Sequence, residues 1–289
     1  MKRYCAHWQI AYRKGFEGEF QLVNNPNWGW CADPFLVEYM NNIYLFAEAF
    51  LYKSERNGVI VYCKYEENGF SDWKVCMDKH WHLSYPNVYV VDNELYMCPE
   101  SYQREDVSVY KLIEFPDKWE RVSTYLDNIK CVDTTFWKRD DKEYMFTFEP
   151  SFMENGGALY MYSRNIDDVC WKNKIFISDD KRFARPGGKF FYKGNEVIRV
   201  GQNSEHEYGE GLSFLRVDSF EPVYKETLVK KIYPKDIMLA TQKVYEGIHT
   251  YNRCGEFEVI DLKYRVYCRD EQRARKRIRK VFVDKYERY

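Results

Sequence analysis

Four stretches of the chain share one order of polar and apolar positions. Each has a polar anchor, an extended apolar segment of strand length, a turn rich in Asn, Asp or Gly, a second apolar segment, and a closing Glu or Gln. They read CADPFLVEYMNNIYLFAEAF, LSYPNVYVVDNELYMCPES, CVDTTFWKRDDKEYMFTFEP and FARPGGKFFYKGNEVIRVGQN, and GIHTYNRCGEFEVIDLKY is a degenerate fifth copy. The closing residues Glu48, Glu100, Glu149 and Gln202 lie 52, 49 and 53 residues apart. A strand-dominated repeat of about 50 residues matches one four-stranded propeller blade. Strand-like pieces between the hairpins, such as NGVIVYCKYE, VSVYKLIEF, GALYMYSRN and EGLSFLRVDSF, supply the outer strands, and Trp73, Trp119 and Trp171 recur in the connections. The pattern predicts an all-β fold, a single five-bladed β-propeller over residues 1–268, with a short basic C-terminal tail at 269–289.

Propeller geometry makes the anchors chemically interesting. The first strand of each blade lines the axial channel and the second runs back beside it, so anchor and closing residue share one end. Asp33 precedes Glu48 by 15 residues, Tyr85 precedes Glu100 by 15, Asp133 precedes Glu149 by 16 and Arg185 precedes Gln202 by 17. Radial repetition should collect these pairs, with His249 of the fifth copy, around one funnel. Crowded carboxylates repel, some then hold their protons, and a protonated carboxyl beside an ionised one is what acid/base work on a glycosidic bond requires. The structural alternative is that strand-end carboxylates accept backbone N–H groups or neutralise Arg.

Aromatic residues make up 18% of the chain, including 26 Tyr and 8 Trp. Trp28, Trp30, Trp81, Tyr85 and Tyr208 are candidates to stack on a sugar face, or else to fill the space between blades. His82 is expected to hydrogen-bond a sugar or a carboxylate; the HWH run at 80–82 has no evident third ligand, so no metal site is expected. In ARPGG the glycines permit close backbone approach to a ligand, and Arg185 either grips an acidic or nucleotide-linked sugar or neutralises the acids. His249 is read either as an axial group holding an ion or water, or as a satisfied core histidine.

Bulk properties remove several classes. With 44 basic and 45 acidic residues the net charge is -1, which gives no general field for nucleic acid. Nine cysteines without a CxxC pair read as reduced, buried thiols rather than a disulfide frame or zinc site. No apolar run has signal-peptide or membrane-spanning length, so a cytoplasmic protein is expected. GxxxxGK[ST], strand-linked GxGxxG and GxSxG motifs are missing, which removes the main signals of nucleotide hydrolysis and serine-esterase chemistry. General acid/base catalysis would need no organic cofactor.

The segments WCADPFLVE, HLSYPNV, YMCPES, CVDTTFW, ARPGG and GIHTYN together resemble the N-terminal domain of plant glucosamine inositolphosphorylceramide transferases and its stand-alone bacterial relatives, over roughly Trp28 to Asn252. That resemblance implies a five-bladed propeller. More distantly the chain resembles glycoside hydrolase families 43 and 32, whose first blade begins with an acidic residue and a proline, as Asp33 and Pro34 do here. By that resemblance Asp33 takes the role of base or nucleophile and Asp133 that of the acidity-tuning or sugar-holding carboxylate. The general acid falls to Glu100 or Glu149, with Glu100 favoured because Pro99 stiffens its approach. In the plant proteins sugar transfer is attributed to a separate C-terminal domain, for which 289 residues leave no room, so the transferase activity is not expected to carry over. Two expectations follow: action on a glycosidic bond in intracellular glycan or surface-polysaccharide assembly, or a non-catalytic carbohydrate-binding module partnering a separate glycosyltransferase.

Overall fold

The computed structural model describes residues 4–53, 58–151 and 156–267. Five antiparallel sheets form a five-bladed β-propeller. The first blade is built from Gly29–Tyr39, Asn42–Leu51, Gly58–Glu66 and Lys74–Met77, with Gly69–Phe70 as an added hairpin strand. The second runs through Ser84–Val91, Glu94–Glu100, Asp106–Glu114 and Lys118–Asp127, and the third through Val132–Arg139, Lys142–Pro150, Gly157–Asn165 and Lys172–Ser178. The fourth comprises Phe191–Lys193, Glu196–Asn203, Gly211–Ser219 and Lys225–Ile232. The basic tail at 269–289 and Cys268 lie outside the described residues.

The turns predicted from Asn, Asp and Gly join the inner two strands of each blade. Met40 and Asn41 (φ 48° and 56°), Asp92 and Asn93 (50° and 63°), Asp140 (54°), Gly194 (60°) and Gly255 (56°) all adopt the left-handed backbone that such tight hairpins need. The fifth blade departs from simple repetition. Its inner strands are Tyr251–Cys254 and Phe257–Val266, and its outer two come from the other end of the chain, Cys5–Lys14 and Gln21–Leu22. Ten residue pairs, from Cys5 opposite Val266 to Lys14 opposite Phe257, lock the ring. The last sequence copy is therefore only a hairpin, which is why its repeat looks degenerate. Closure across the termini also removes two exposed sheet edges.

Core packing follows the ring. Five apolar clusters occupy the five gaps between neighbouring blades, and the cysteines at 31, 63, 76, 98 and 131 are buried among them. Trp73, Trp119, Trp137 and Trp171 each pack in one of four gaps, so half of the eight tryptophans are structural wedges. Among the described residues no helix is long and apolar enough to cross a membrane.

Candidate active site

Three successive blades begin with the same local device. Asp33, Tyr85 and Asp133 all have left-handed backbone, with φ of 51°, 41° and 53°. Each sits where the inner strand carries one residue more than its partner, between Ala32 and Phe35, Ser84 and Asn87, and Val132 and Thr135. A bulge of this kind re-aims a side chain, and strained non-glycine residues recurring at one register mark a site that the rest of the fold holds in place. Opposite the residue before each bulge stand Glu48, Glu100 and Phe148.

That register separates the predicted residues. Glu48 and Glu100, opposite Ala32 and Ser84, lie in the field of Asp33 and Asp133, but Glu149 follows Phe148 by one position and points the other way, as a slip of one residue along a strand demands. Glu149 pairs with Lys174 at 2.5 Å and accepts from the Tyr162 hydroxyl at 3.4 Å, outside the acid cluster.

Asp33 is the hub between the first, second and fifth blades. Its Oδ2 accepts the Tyr85 backbone N–H (3.1 Å) and its Oδ1 accepts the Thr250 hydroxyl (3.0 Å). His249 Nε2 lies 3.7 Å from Oδ1, while His249 Nδ1 lies 2.6 Å from Asp261 Oδ2. Asp261 Oδ2 also accepts the Asp33 backbone N–H (3.0 Å), and its Oδ1 accepts those of His249 (3.0 Å) and Thr250 (2.9 Å). The imidazole stacks on Trp8 at 3.8 Å. The ligand-type atoms of Asp33, His249 and Asp261 lie within 4.8 Å of one another, a set a cation could share, although here His249 and Asp261 meet directly.

Asp133, 2% exposed, is the second hub. Arg185 Nε donates to its Oδ2, and Gln202 Nε2 donates to the same oxygen at 2.8 Å. The Arg185 guanidinium reaches to 4.0 Å from Glu100 Oε2 and lies under the Tyr208 ring at 5.2 Å. Tyr208 packs edge-on against both Trp8 and His249. Arg185 and Tyr208, with Phe148 and Ser204, line a cavity of about 150 Å³. Its loop is tied down by Lys263, whose Nζ donates to the Tyr208 carbonyl at 2.6 Å. Lys189 closes the channel below: its Nζ donates to the Leu36 carbonyl at 3.1 Å, and since the fourth and first blades are not neighbours this bond crosses the axis.

Electrostatics divides the carboxylates. Burial, reinforced by Asp133 and Asp261 and opposed by His249, raises Asp33 to about 6. Burial raises Glu48 and Glu100 well above the carboxylate range, with Asp33 adding to the first and Asp133 to the second; Arg185 only partly offsets the latter. Burial alone would depress His249, but Asp261 and Asp33 outweigh it and leave it raised. His82, 3.7 Å from Glu48 Oε1, is lowered to about 4 by burial and stays neutral. The site thus sets two strongly raised carboxyls, Glu48 and Glu100, beside Asp33, which ionises near 6.

Of the other expected residues, Tyr85 is fully buried with its hydroxyl 2.9 Å from Thr135 Oγ1, and Trp28 packs into the gap between the fifth and first blades. Trp81 lies against Arg104 instead of the funnel, and Trp30 stacks on Phe50. The ARPGG glycines make room for backbone of the fifth blade: a Cβ on Gly188 would stand 1.9 Å from the Tyr251 carbonyl oxygen. Trp8, Thr250, Lys189 and Asp261 were missed by sequence reading. Only Asp261 left a usable signal, an acid inside the apolar run VIDL.

The profile of the family described as "Glucosamine inositolphosphorylceramide transferase 1, N-terminal" matches residues 22–254. The chain belongs to this family. Glucosamine inositolphosphorylceramide transferase 1 of Oryza sativa subsp. japonica is 26% identical over 208 residues, covering 68% of this chain and 28% of the relative. Its counterpart in Arabidopsis thaliana is 29% identical over 206 residues, covering 68% and 26%. The chain thus spans about a quarter of the length of these relatives. Among solved structures, an α-L-arabinofuranosidase of Podospora anserina in complex with cellotriose superposes with a TM-score of 0.63 at 9% identity, over 91% of this chain and 98% of that one. A Bombyx mori family-32 β-fructofuranosidase gives 0.56 at 13% identity, over 88% and 56%. At such identities the likeness is one of fold.

The raised carboxyls make stability depend on pH with a definite sign. A carboxyl raised in the fold keeps its proton there after the unfolded chain has released it, so stability falls as the pH climbs through and above the ordinary carboxylate range. Glu48→Gln removes this penalty for one group. Its Tm is expected to exceed that of the parent protein by at least about 2 °C at pH 8, with the gap closing near pH 4. Scanning calorimetry at the two values checks this; a lower Tm for the variant at pH 8 would show the ionised carboxylate to be compensated.

Proposed function

We propose that the funnel binds a sugar and acts on its glycosidic bond, with Glu100 as proton donor and Asp33 as the ionised base or nucleophile. The observation that carries this reading is the separation of the two carboxyls: Glu100 holds its proton far above the usual range while Asp33 ionises near 6. Asp133, Arg185 and Gln202 form a bonded unit that would orient the sugar, and Tyr208 offers a ring face beside it. The cavity that Arg185 and Tyr208 line, about 150 Å³ and not lined by Asp33 or Glu100 themselves, is below the roughly 300–1,000 Å³ of drug-sized sites and suits one small ring better than a chain. With Glu48 and Glu100 holding their protons, three further acids, Asp33, Asp133 and Asp261, face two cationic groups, Arg185 and His249, a small excess of acid that a positive charge on the ligand would offset. An amino sugar such as the glucosamine in the relatives' names meets that condition. The setting would be glycan or glycolipid assembly alongside a separate glycosyltransferase.

One observation favours a second reading, a binding module without catalysis. Both Asp33 oxygens and the Asp133 Oδ2 already accept hydrogen bonds within the protein, as in a structural hub. Calorimetric titration with glucosamine-bearing oligosaccharides, followed by chromatography of the same mixtures, separates the two. Saturable binding with new reducing ends or transferred sugar is the expected result. Binding without bond change selects the module, and neither binding nor turnover across such glycans would sink the sugar assignment.

A further inference from the structure

The five gaps between blades are not filled alike. Four of the apolar clusters carry a tryptophan wedge, whereas the cluster between the fourth and fifth blades has none. The same gap holds a cavity of about 610 Å³, within the roughly 300–1,000 Å³ typical of ligand sites. Its floor is apolar, formed by Ile198, Phe214, Ile232, Ile237 and Ile260, and Tyr192, Val229 and Met238 stand exposed at its mouth.

Its rim is basic. Arg253 donates to the Tyr192 carbonyl (2.6 Å) and lies over Phe191 and Phe16, but no described carboxylate comes within 4.0 Å of Arg253, Lys193 or Lys230. The two acids of the lining are already engaged. Glu258 binds Arg13 and the Tyr251 hydroxyl, and Asp236 accepts the Tyr233 backbone N–H at 2.9 Å. With Glu258 matched by Arg13, the charge of Asp236 is outnumbered by Lys193, Lys230 and Arg253, so the net charge at this gap is positive, above a floor that leaves apolar surface uncovered.

We propose that this gap is a binding site for a single-chain anionic amphiphile, whose alkyl chain lies on the apolar floor of Ile198, Phe214, Ile232, Ile237 and Ile260 and whose anionic head meets Arg253, Lys193 and Lys230. Apolar burial supplies the affinity, and the rim selects the charge of the head. The site is separate from the funnel and does not depend on the sugar reading. Isothermal titration of the full chain with decyl phosphate, below its micelle-forming concentration, should give one saturable site. Decanol should bind at least about fivefold more weakly, and Arg253→Gln or Lys193→Gln should each weaken decyl phosphate by a similar factor, the equivalent of about 1 kcal/mol. Val229→Trp, at an exposed position on the mouth, should abolish binding with the melting temperature retained, and Glu100→Gln should bind as the parent does. Absence of saturable binding overturns the proposal, as does binding indifferent to both Val229→Trp and Arg253→Gln. Binding that appears only after removal of residues 268–289 would make the chain's own tail the occupant and overturn it equally.

Discussion

Asp33→Asn and Glu100→Gln are each expected to lower kcat/KM on a cleaved or transferred glycan by about 10²- to 10⁴-fold, the usual worth of a positioned acid or base, while sugar binding persists. Both substitutions keep side-chain shape and remove only the titrating function. The pH profile of the parent protein should carry the same information. Asp33 must be ionised to act, so the rate should rise as the pH passes about 6. Glu100 must keep its proton, so the rate should fall only well above the ordinary carboxylate range. In Glu100→Gln the alkaline limb should disappear, and an activated leaving group, which needs little protonation, should recover much of the lost rate. In Asp33→Asn no such recovery is expected. Full turnover in both variants would remove these residues from the chemistry, whatever the funnel binds.

The second large effect is structural. Gly188→Ala is expected to destabilise the propeller by about 3 kcal/mol or more, because two costs combine at one atom. The backbone there has φ of +143°, which L side chains rarely adopt, and the added Cβ would lie 1.9 Å from the Tyr251 carbonyl oxygen. Neither partner is a flexible side-chain end: Gly188 lies in the segment leading into Phe191–Lys193, and the Tyr251 carbonyl belongs to the inner strand of the fifth blade. A fall in Tm of roughly 10 °C should be seen by calorimetry. Gly194→Ala is the internal comparison: its turn has φ of +60° but nothing within 4 Å of the added atom, so only the backbone strain remains. Equal losses in the two variants would show that close approach at the axis contributes little.

These expectations also mark where sequence reading stopped. The repeat of polar anchor, hairpin and closing acid was legible because side-chain periodicity in a strand is local, and the turns carry residues that tolerate left-handed backbone. Blade number and the gathering of Asp33, Glu48, Glu100, Asp133, Arg185 and His249 around one axis followed from that repetition. Register did not. A spacing of 16 instead of 15 between Asp133 and Glu149 is a minor irregularity in sequence, yet in a pleated strand it sends Glu149 to Lys174 and puts Phe148 at the funnel position.

What the sequence determined by itself was the module: an all-β blade of about 50 residues, repeated, with acids at strand ends. The tertiary structure decided what depends on distant parts of the chain. Pairing of Cys5–Lys14 with Phe257–Val266 closes the ring, and Asp261 reaches Asp33 and His249 only because that closure brings the fifth blade beside the first. The protonation pattern was likewise absent from the sequence, since burial and neighbouring charge set it. Sequence periodicity is a short-range property, whereas carboxyl acidity and a cavity between blades are properties of packing.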